Sequence, residues 1–164
     1  MSIVVVENSF KNDLQNLFIS DFILDSEDVN KIIQNTSLNL YSIKNPKIKI
    51  NIIKLEEDLN QRVSSFIISK NDFVDNDTLE WELLEKIEID NCLILLLDKE
   101  HAKLESLDEW LDECRLMKEL YNVTEDGRIC ITSGFGPGVY SLFGIKNEDK
   151  EIIAMKMTFI KETI

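Results

Sequence analysis

The chain has 164 residues, with 18 Lys and Arg against 31 Asp and Glu, so it fits one domain (1–164) and carries a formal net charge of −13. That charge opposes binding to nucleic acid and to anionic membranes, and would steer a basic partner towards the surface. No apolar run approaches the ~20 residues of a membrane span, and Met1 to Glu7 lacks the charged region and long apolar core of a secretion signal, so a cytoplasmic protein is expected.

Residues 2 to 6 form a short apolar run of strand character. Phe10, Leu14, Leu17 and Phe18 then recur at helical spacing, while Phe18, Ile19, Phe22 and Ile23 are β-prone ahead of the break at Asp25-Ser26; a short helix and a strand over Leu17 to Leu24 are both open readings. Val29, Ile32 and Ile33 fall at i, i+3 and i+4, which predicts at most two helical turns over Asp28 to Gln34. After Pro46, Lys47 to Ile52 alternates between polar and apolar residues as a strand does, and Arg62 to Ser69 is its antiparallel partner across Glu56 to Gln61. Thr78 to Ile89 reads as a strand with Leu79, Trp81 and Leu83 on one face. Cys92 to Leu97 is uniformly apolar, the pattern of a central strand buried on both faces.

Ser106-Leu107-Asp108-Glu109 has the spacing of a capping box, in which the Ser106 hydroxyl accepts from the Glu109 amide. The helix it opens is predicted over 106–121, because Trp110, Cys114, Met117 and Tyr121 share one face. All five glycines lie at or after Gly127, so special backbone geometry is expected in the last third. There Arg128 to Thr132, Val139 to Ile145 and Glu151 to Ile160 read as strands. Ile153, Met155, Met157 and Phe159 are expected on one face of the last. The fold class is therefore α+β and β-rich, with mainly antiparallel sheet, one secure amphipathic helix and possible short N-terminal helices. Strands over 47–53, 62–69, 78–84, 91–97, 128–133, 139–145 and 151–160 are expected in one main sheet, the last three as neighbours.

The candidate binding loop is Ser133-Gly134-Phe135-Gly136-Pro137-Gly138, followed by Tyr140. Alternating glycines can turn backbone amides towards an anion, and they can equally form a tight turn between strands. Strand character directly after the loop argues against a dinucleotide fingerprint, and Val139-Tyr140 stands where a phosphate loop needs Lys and then Ser or Thr. Phe135 at its tip either anchors a partner or folds back to cap the sheet.

His101 is the sole histidine, and no serine or cysteine has the setting of a nucleophile, so it reads as a solvated loop residue. Trp81 and Trp110 read as core. Glu56-Glu57-Asp58 and Asp72, Asp75, Asn76, Asp77 lack the spacing of a calcium loop. Cys92, Cys114 and Cys130 are too widely spaced for a disulfide framework or metal knuckle. No catalytic residue, metal or cofactor is assigned.

Arg62 to Phe66, Leu79 to Leu83, Ser133 to Tyr140 and Ile153 to Phe159 together resemble the bacterial family called domain of unknown function 4241, over roughly residues 45–160. That family's loop usually reads Ser-Gly-x-Gly-Asp-Gly-x-Tyr. Pro137 stands at the aspartate position here, and a glycine after the Trp81 region is missing, so any role of that aspartate is lost. The family carries no assigned activity, and the resemblance implies a fold.

Small size, the acidic excess and the lack of a catalytic set lead to an expected role as a non-enzymatic binding protein for a basic partner, in particular an immunity protein against a bacterial toxin domain. Glu56, Glu57, Asp75 and Asp77 are the first candidates for its partner surface. The alternatives are a small-ligand or carbohydrate-binding module using residues 133–140, and a hydrolase assembled around His101.

Overall fold

The structure, a computed structural model, describes residues 2–35, 37–54, 60–134 and 136–160. Eleven strands run in chain order among them: β1 (Ser2–Ser9), β2 (Leu14–Asp21), β3 (Tyr41–Ile43), β4 (Pro46–Lys54), β5 (Gln61–Lys70), β6 (Glu82–Ile89), β7 (Leu93–Asp98), β8 (Tyr121–Val123), β9 (Ile129–Thr132), β10 (Gly138–Lys146) and β11 (Ile152–Thr158). Two α-helices, α1 (Ser26–Ile33) and α2 (Leu107–Leu116), and a 3-10 helix, Lys99–Lys103, complete the fold. The strands form a six-stranded sheet of order β1-β4-β5-β11-β10-β6 and a five-stranded sheet of order β3-β2-β7-β9-β8. Every pairing is antiparallel.

The molecule has three layers. One core lies between the two sheets, where Ile48, Ile50, Phe66, Ile68, Met155 and Met157 of the larger sheet meet Leu17, Ile94, Leu96 and Ile131 of the smaller. A second core lies between the other face of the smaller sheet and the helices, built from Phe18, Leu95, Leu97 and Cys130 against Val29, Leu107, Trp110, Leu111 and Cys114. The period-two alternation of a strand sends Ile94 and Leu96 to one core and Leu95 and Leu97 to the other. All four are fully buried, which contributes roughly 6 to 12 kcal/mol before conformational entropy is set against it. The two-sided burial expected from the sequence of β7 is what the fold provides.

The β-rich, antiparallel α+β architecture agrees with expectation, and several details do not. The seven expected strands divide between two sheets: β7 and β9 belong to the smaller one, so β9 is no neighbour of β10. Two packed sheets bury far more apolar surface than one, and β7 can be covered on both faces only as a middle layer. Residues 10–18 form no helix; the competing strand reading holds, with β2 starting at Leu14. The first short helix is real, and Asp25 caps it by accepting from the Asp28 amide at 2.9 Å.

Helix α2 ends at Leu116, five residues before the expected Tyr121. Tyr121–Val123 pairs instead with β9 and shields its edge. Ser106 makes no capping hydrogen bond; its hydroxyl lies 3.2 Å from Arg128 Nη1, which donates to it. Strand β6 begins at Glu82, leaving Leu79 and Trp81 in the preceding segment. A register shift pairs Lys146 with Ile152, so Ile152 packs against the core in place of Ile153.

Candidate functional site

The loop from Ser133 to Gly138 carries the chain from β9 in the smaller sheet to β10 in the larger. It therefore crosses between layers, and is not the tight turn reversing two neighbouring strands that the sequence left open as one of its two readings. Several of its polar groups are engaged, some within the loop and some with neighbouring segments. The Ser133 hydroxyl donates to the Gly136 carbonyl at 2.9 Å, and the Tyr140 hydroxyl donates to the same oxygen at 2.6 Å. The Gly136 amide donates to the Ser133 carbonyl at 3.1 Å, and the Ser133 amide donates to the Cys92 carbonyl at 3.1 Å. Arg62 Nη1 donates to the Gly134 carbonyl at 3.3 Å. An anion cradle needs amides aimed outward, whereas the amides of Ser133 and Gly136 are both occupied.

Two of the glycines are required by position. Gly134 has φ +64, and a Cβ there would stand 2.9 Å from Phe159 Cβ; Gly136 has φ +122, and its Cβ would meet Cys92 Sγ at 3.3 Å. Phe159 is held from the far side by a bulge: the Ser64 carbonyl accepts from the Phe159 amide at 2.7 Å and the Ile160 amide at 3.1 Å. Its ring then meets Tyr140 edge-on with centroids 5.1 Å apart, and Phe66 at 6.0 Å. The sequence candidates Ser133, Gly136 and Gly138 thus gather around Tyr140, and Tyr140 and Gly134 pack on Phe159. Phe135 lies outside the described residues.

His101 is a correction. It is 6 % exposed, on the 3-10 helix, with both ring nitrogens engaged. Nδ1 accepts from the Asp98 amide at 3.1 Å, which leaves Nε2 as the protonated nitrogen donating to the Asp126 carbonyl at 3.0 Å. Burial holds the imidazole below its ordinary value of 6.5 and so keeps it neutral. The Asp98 carboxylate accepts from the amides of Gln15, Asn16 and Glu100 at 2.8, 3.2 and 3.1 Å. This pair braces the start of β2 against the end of β7, and no ring nitrogen is left over to serve as a base.

Trp110 is core, its Nε1 donating to Asn122 Oδ1 at 3.1 Å. Trp81 is not: it lies half-buried on the outer face of the larger sheet, edge-on to Phe73, with Lys156 Nζ 4.2 Å from its ring centre. Cys114 and Cys130 are buried together, and the Cys130 thiol is pushed up by its hydrogen bond with Cys114 and then by burial. Among the described residues, no group of three His, Cys, Asp or Glu side chains could hold a metal ion, and no helix is long and apolar enough to cross a membrane.

Glu56 and Glu57 lie outside the described residues. Asp75 and Asp77 are exposed, and Asp75 shares a groove with Lys47 and Lys49 on the outer face of the larger sheet. Asn76 in the same segment accepts from the Thr78 amide at 2.9 Å, an Asx turn that accounts for its place among the aspartates.

The sequence reading missed an acidic stripe on α2. Glu109, Asp112, Glu113 and Leu116 fall at i, i+3, i+4 and i+7, all exposed, while Leu107, Trp110, Leu111 and Cys114 bury the opposite face. Leu116 is 68 % exposed beside those carboxylates. Asp108 ties the stripe to α1, accepting from the Ser26 amide at 2.7 Å and the Ser26 hydroxyl at 2.9 Å. Exposed Glu27 and Asp28 in the first turn of α1 add two carboxylates, with Lys31 at 4.0 and 3.9 Å from them, as Arg115 lies 3.7 Å from Asp112 in the stripe itself. The signal was present as the polar complement of the helical apolar pattern. Compared with protein-family models, curated proteins and solved structures, the chain matches none of them.

Proposed function

We propose that the protein is a non-enzymatic, cytoplasmic binding protein that presents the acidic stripe of α2 to a basic protein partner, in particular as an immunity protein for a cationic bacterial toxin domain. The observation that carries this reading is the row Glu109, Asp112, Glu113 and Leu116, three carboxylates around an exposed apolar side chain on a helix anchored through its other face. Such a row accelerates encounter with a cationic surface and gives the docked complex an apolar contact to close on. The polar groups that could have carried chemistry, His101, Asp98, Ser133 and Tyr140, are engaged in holding loops and strand ends. The resemblance to domain of unknown function 4241 is compatible with this reading and adds no activity to it.

The test is capture by a purified, folded basic domain encoded at the C-terminus of a secreted protein in the neighbouring reading frame. Wild-type protein and a Gly136→Ala variant, verified as folded by circular dichroism because of its strained φ, are expected to bind it equally, and Asp112→Lys/Glu113→Lys, verified in the same way, is expected to lose it. Equal capture of the charge-reversed protein would reject the α2 surface. Saturable binding of a sugar or phosphate lost in the glycine variant would support the loop reading instead.

A further inference from the structure

A cavity of about 260 Å³ opens where the edge of the smaller sheet meets the turn between β10 and β11. Leu40, Ile152 and Ile153 give it an apolar lining, while Lys44, Lys70 and Lys150 bring three cations to it against one carboxylate, Glu151. In a molecule of formal net charge −13, that lining is cationic, although Glu148 and Asp149 stand in the same turn and Glu85 accepts from Tyr41 behind it. Lys44 Nζ lies 3.5 Å from Glu151 Oε2 and is partly neutralised by it. Lys70 and Lys150 have no ion-pair partner among the described residues.

The three lysines come from separate segments, each fixed by its own backbone. Lys44 precedes Asn45, whose positive φ of 47 is stabilised by its amide donating to Asp13 Oδ1 at 2.7 Å. Lys70 ends β5, and the next residue, Asn71, bonds Asn45 twice, by its amide to the carbonyl at 2.9 Å and by its side chain at 3.0 Å. Lys150 has φ +62 in a turn that Asn147 organises, its side-chain oxygen accepting from the amides of Asp149 and Glu151 at 3.0 Å each. Tyr41, which also lines the cavity, donates to Glu85 Oε1 at 2.7 Å and so staples the two sheets at this point. The cavity is therefore preformed, and only the lysine tips need ordering on binding.

We infer that this cavity is a binding site for a small amphipathic organic anion, a carboxylate carried on an apolar body of about one ring. An apolar cavity of about 150 Å³ admits benzene, so the volume here accommodates a ring together with a charged group. The apolar lining takes the ring, and Lys70 and Lys150 take the carboxylate. The site is independent of the α2 reading. It also lies at the far end of β10 from the glycine loop, about 27 Å away along a nine-residue strand.

The probe is benzoate, followed by two-dimensional amide NMR of the isotopically labelled full chain. Saturable shifts are expected at residues 40–44, 70 and 147–153, with a dissociation constant of about 1 mM or tighter. Benzyl alcohol and inorganic phosphate, which keep only the ring or only the charge, are each expected to bind at least about tenfold more weakly, and Lys70→Gln/Lys150→Gln is expected to weaken benzoate by about tenfold. The spectrum of the variant reports directly that it is folded, and the wild-type affinity for benzoate is expected to fall as salt rises. Equal binding of benzyl alcohol would overturn the role of the lysines, and equal binding of phosphate would overturn that of the apolar lining. Failure of benzoate to saturate at these residues, or unchanged affinity in the double variant, would overturn the site itself.

Discussion

Gly134 shows how a single residue ties the loop to the core. Alanine there would have to hold φ +64 with its Cβ 2.9 Å from Phe159 Cβ, an atom too close to the backbone to swing aside. Gly134→Ala is expected to cost about 1 to 3 kcal/mol in urea unfolding; an unchanged midpoint would mean that Phe159 does not pack there. The clustering of glycines made the special geometry legible, but its purpose was not, because Phe159 and the Ser64 carbonyl are far away in sequence. His101 was misread for a similar reason. Asp98 three residues earlier has the spacing of a capping pair, but the second partner, the Asp126 carbonyl, is 25 residues on.

His101 also gives a pH dependence with a definite sign. Its folded value lies below the ordinary 6.5, so its contribution is complete above pH 6.5. It is lost as pH falls from there through the lowered folded value, because the unfolded chain takes up the proton first. Chemical denaturation of wild type and His101→Gln from about pH 8 down to about pH 5 is expected to show a steeper acid loss in the wild type. Parallel profiles would contradict the buried neutral ring.

At the scale of elements, the two helix starts separate sequence signal from outcome. Asp25 caps α1 through the Asp28 amide, whereas the Ser106 hydroxyl, with the better motif, accepts from Arg128 Nη1. Asp25→Ala is expected to cost about 0.5 to 2 kcal/mol, and Ser106→Ala, which removes only an exposed hydrogen bond, less than about 0.5 kcal/mol. Thermal unfolding of both variants measures the difference, and the reverse order would contradict the caps as described. The early end of α2 was hidden because Met117 and Tyr121 continue its apolar period. Tyr121–Val123 is claimed instead by the free edge of β9, a tertiary demand that outweighs local periodicity. β4 and β7 were legible because alternation and uniform apolarity each correspond to one kind of burial. The assignment of β9 and β10 to different sheets was not, since a short connection reads alike whether it reverses within one sheet or crosses between two.

For the whole molecule, the layers distribute charge unevenly, although each carries both signs: Glu7 and Asp75 lie among the lysines of the larger sheet, and Lys31 and Arg115 among the carboxylates of the helices. The helical layer carries Glu27, Asp28, Glu109, Asp112 and Glu113 at its exposed face, while Lys47, Lys49 and Lys156 stand on the outer face of the larger sheet. Composition revealed the acidic excess but not where the carboxylates stand, which depends on which sheet is the middle layer. A cationic partner approaching such a molecule is steered to the helices. The most direct measurement is the association rate of a purified basic domain, taken from a secreted protein encoded by the neighbouring reading frame, with wild type and with Asp112→Lys/Glu113→Lys across a series of salt concentrations. The account predicts a wild-type rate about 10-fold or more above that of the variant at low salt, converging as salt screens the field. Equal rates at low salt, or a wild-type rate indifferent to salt, would contradict it.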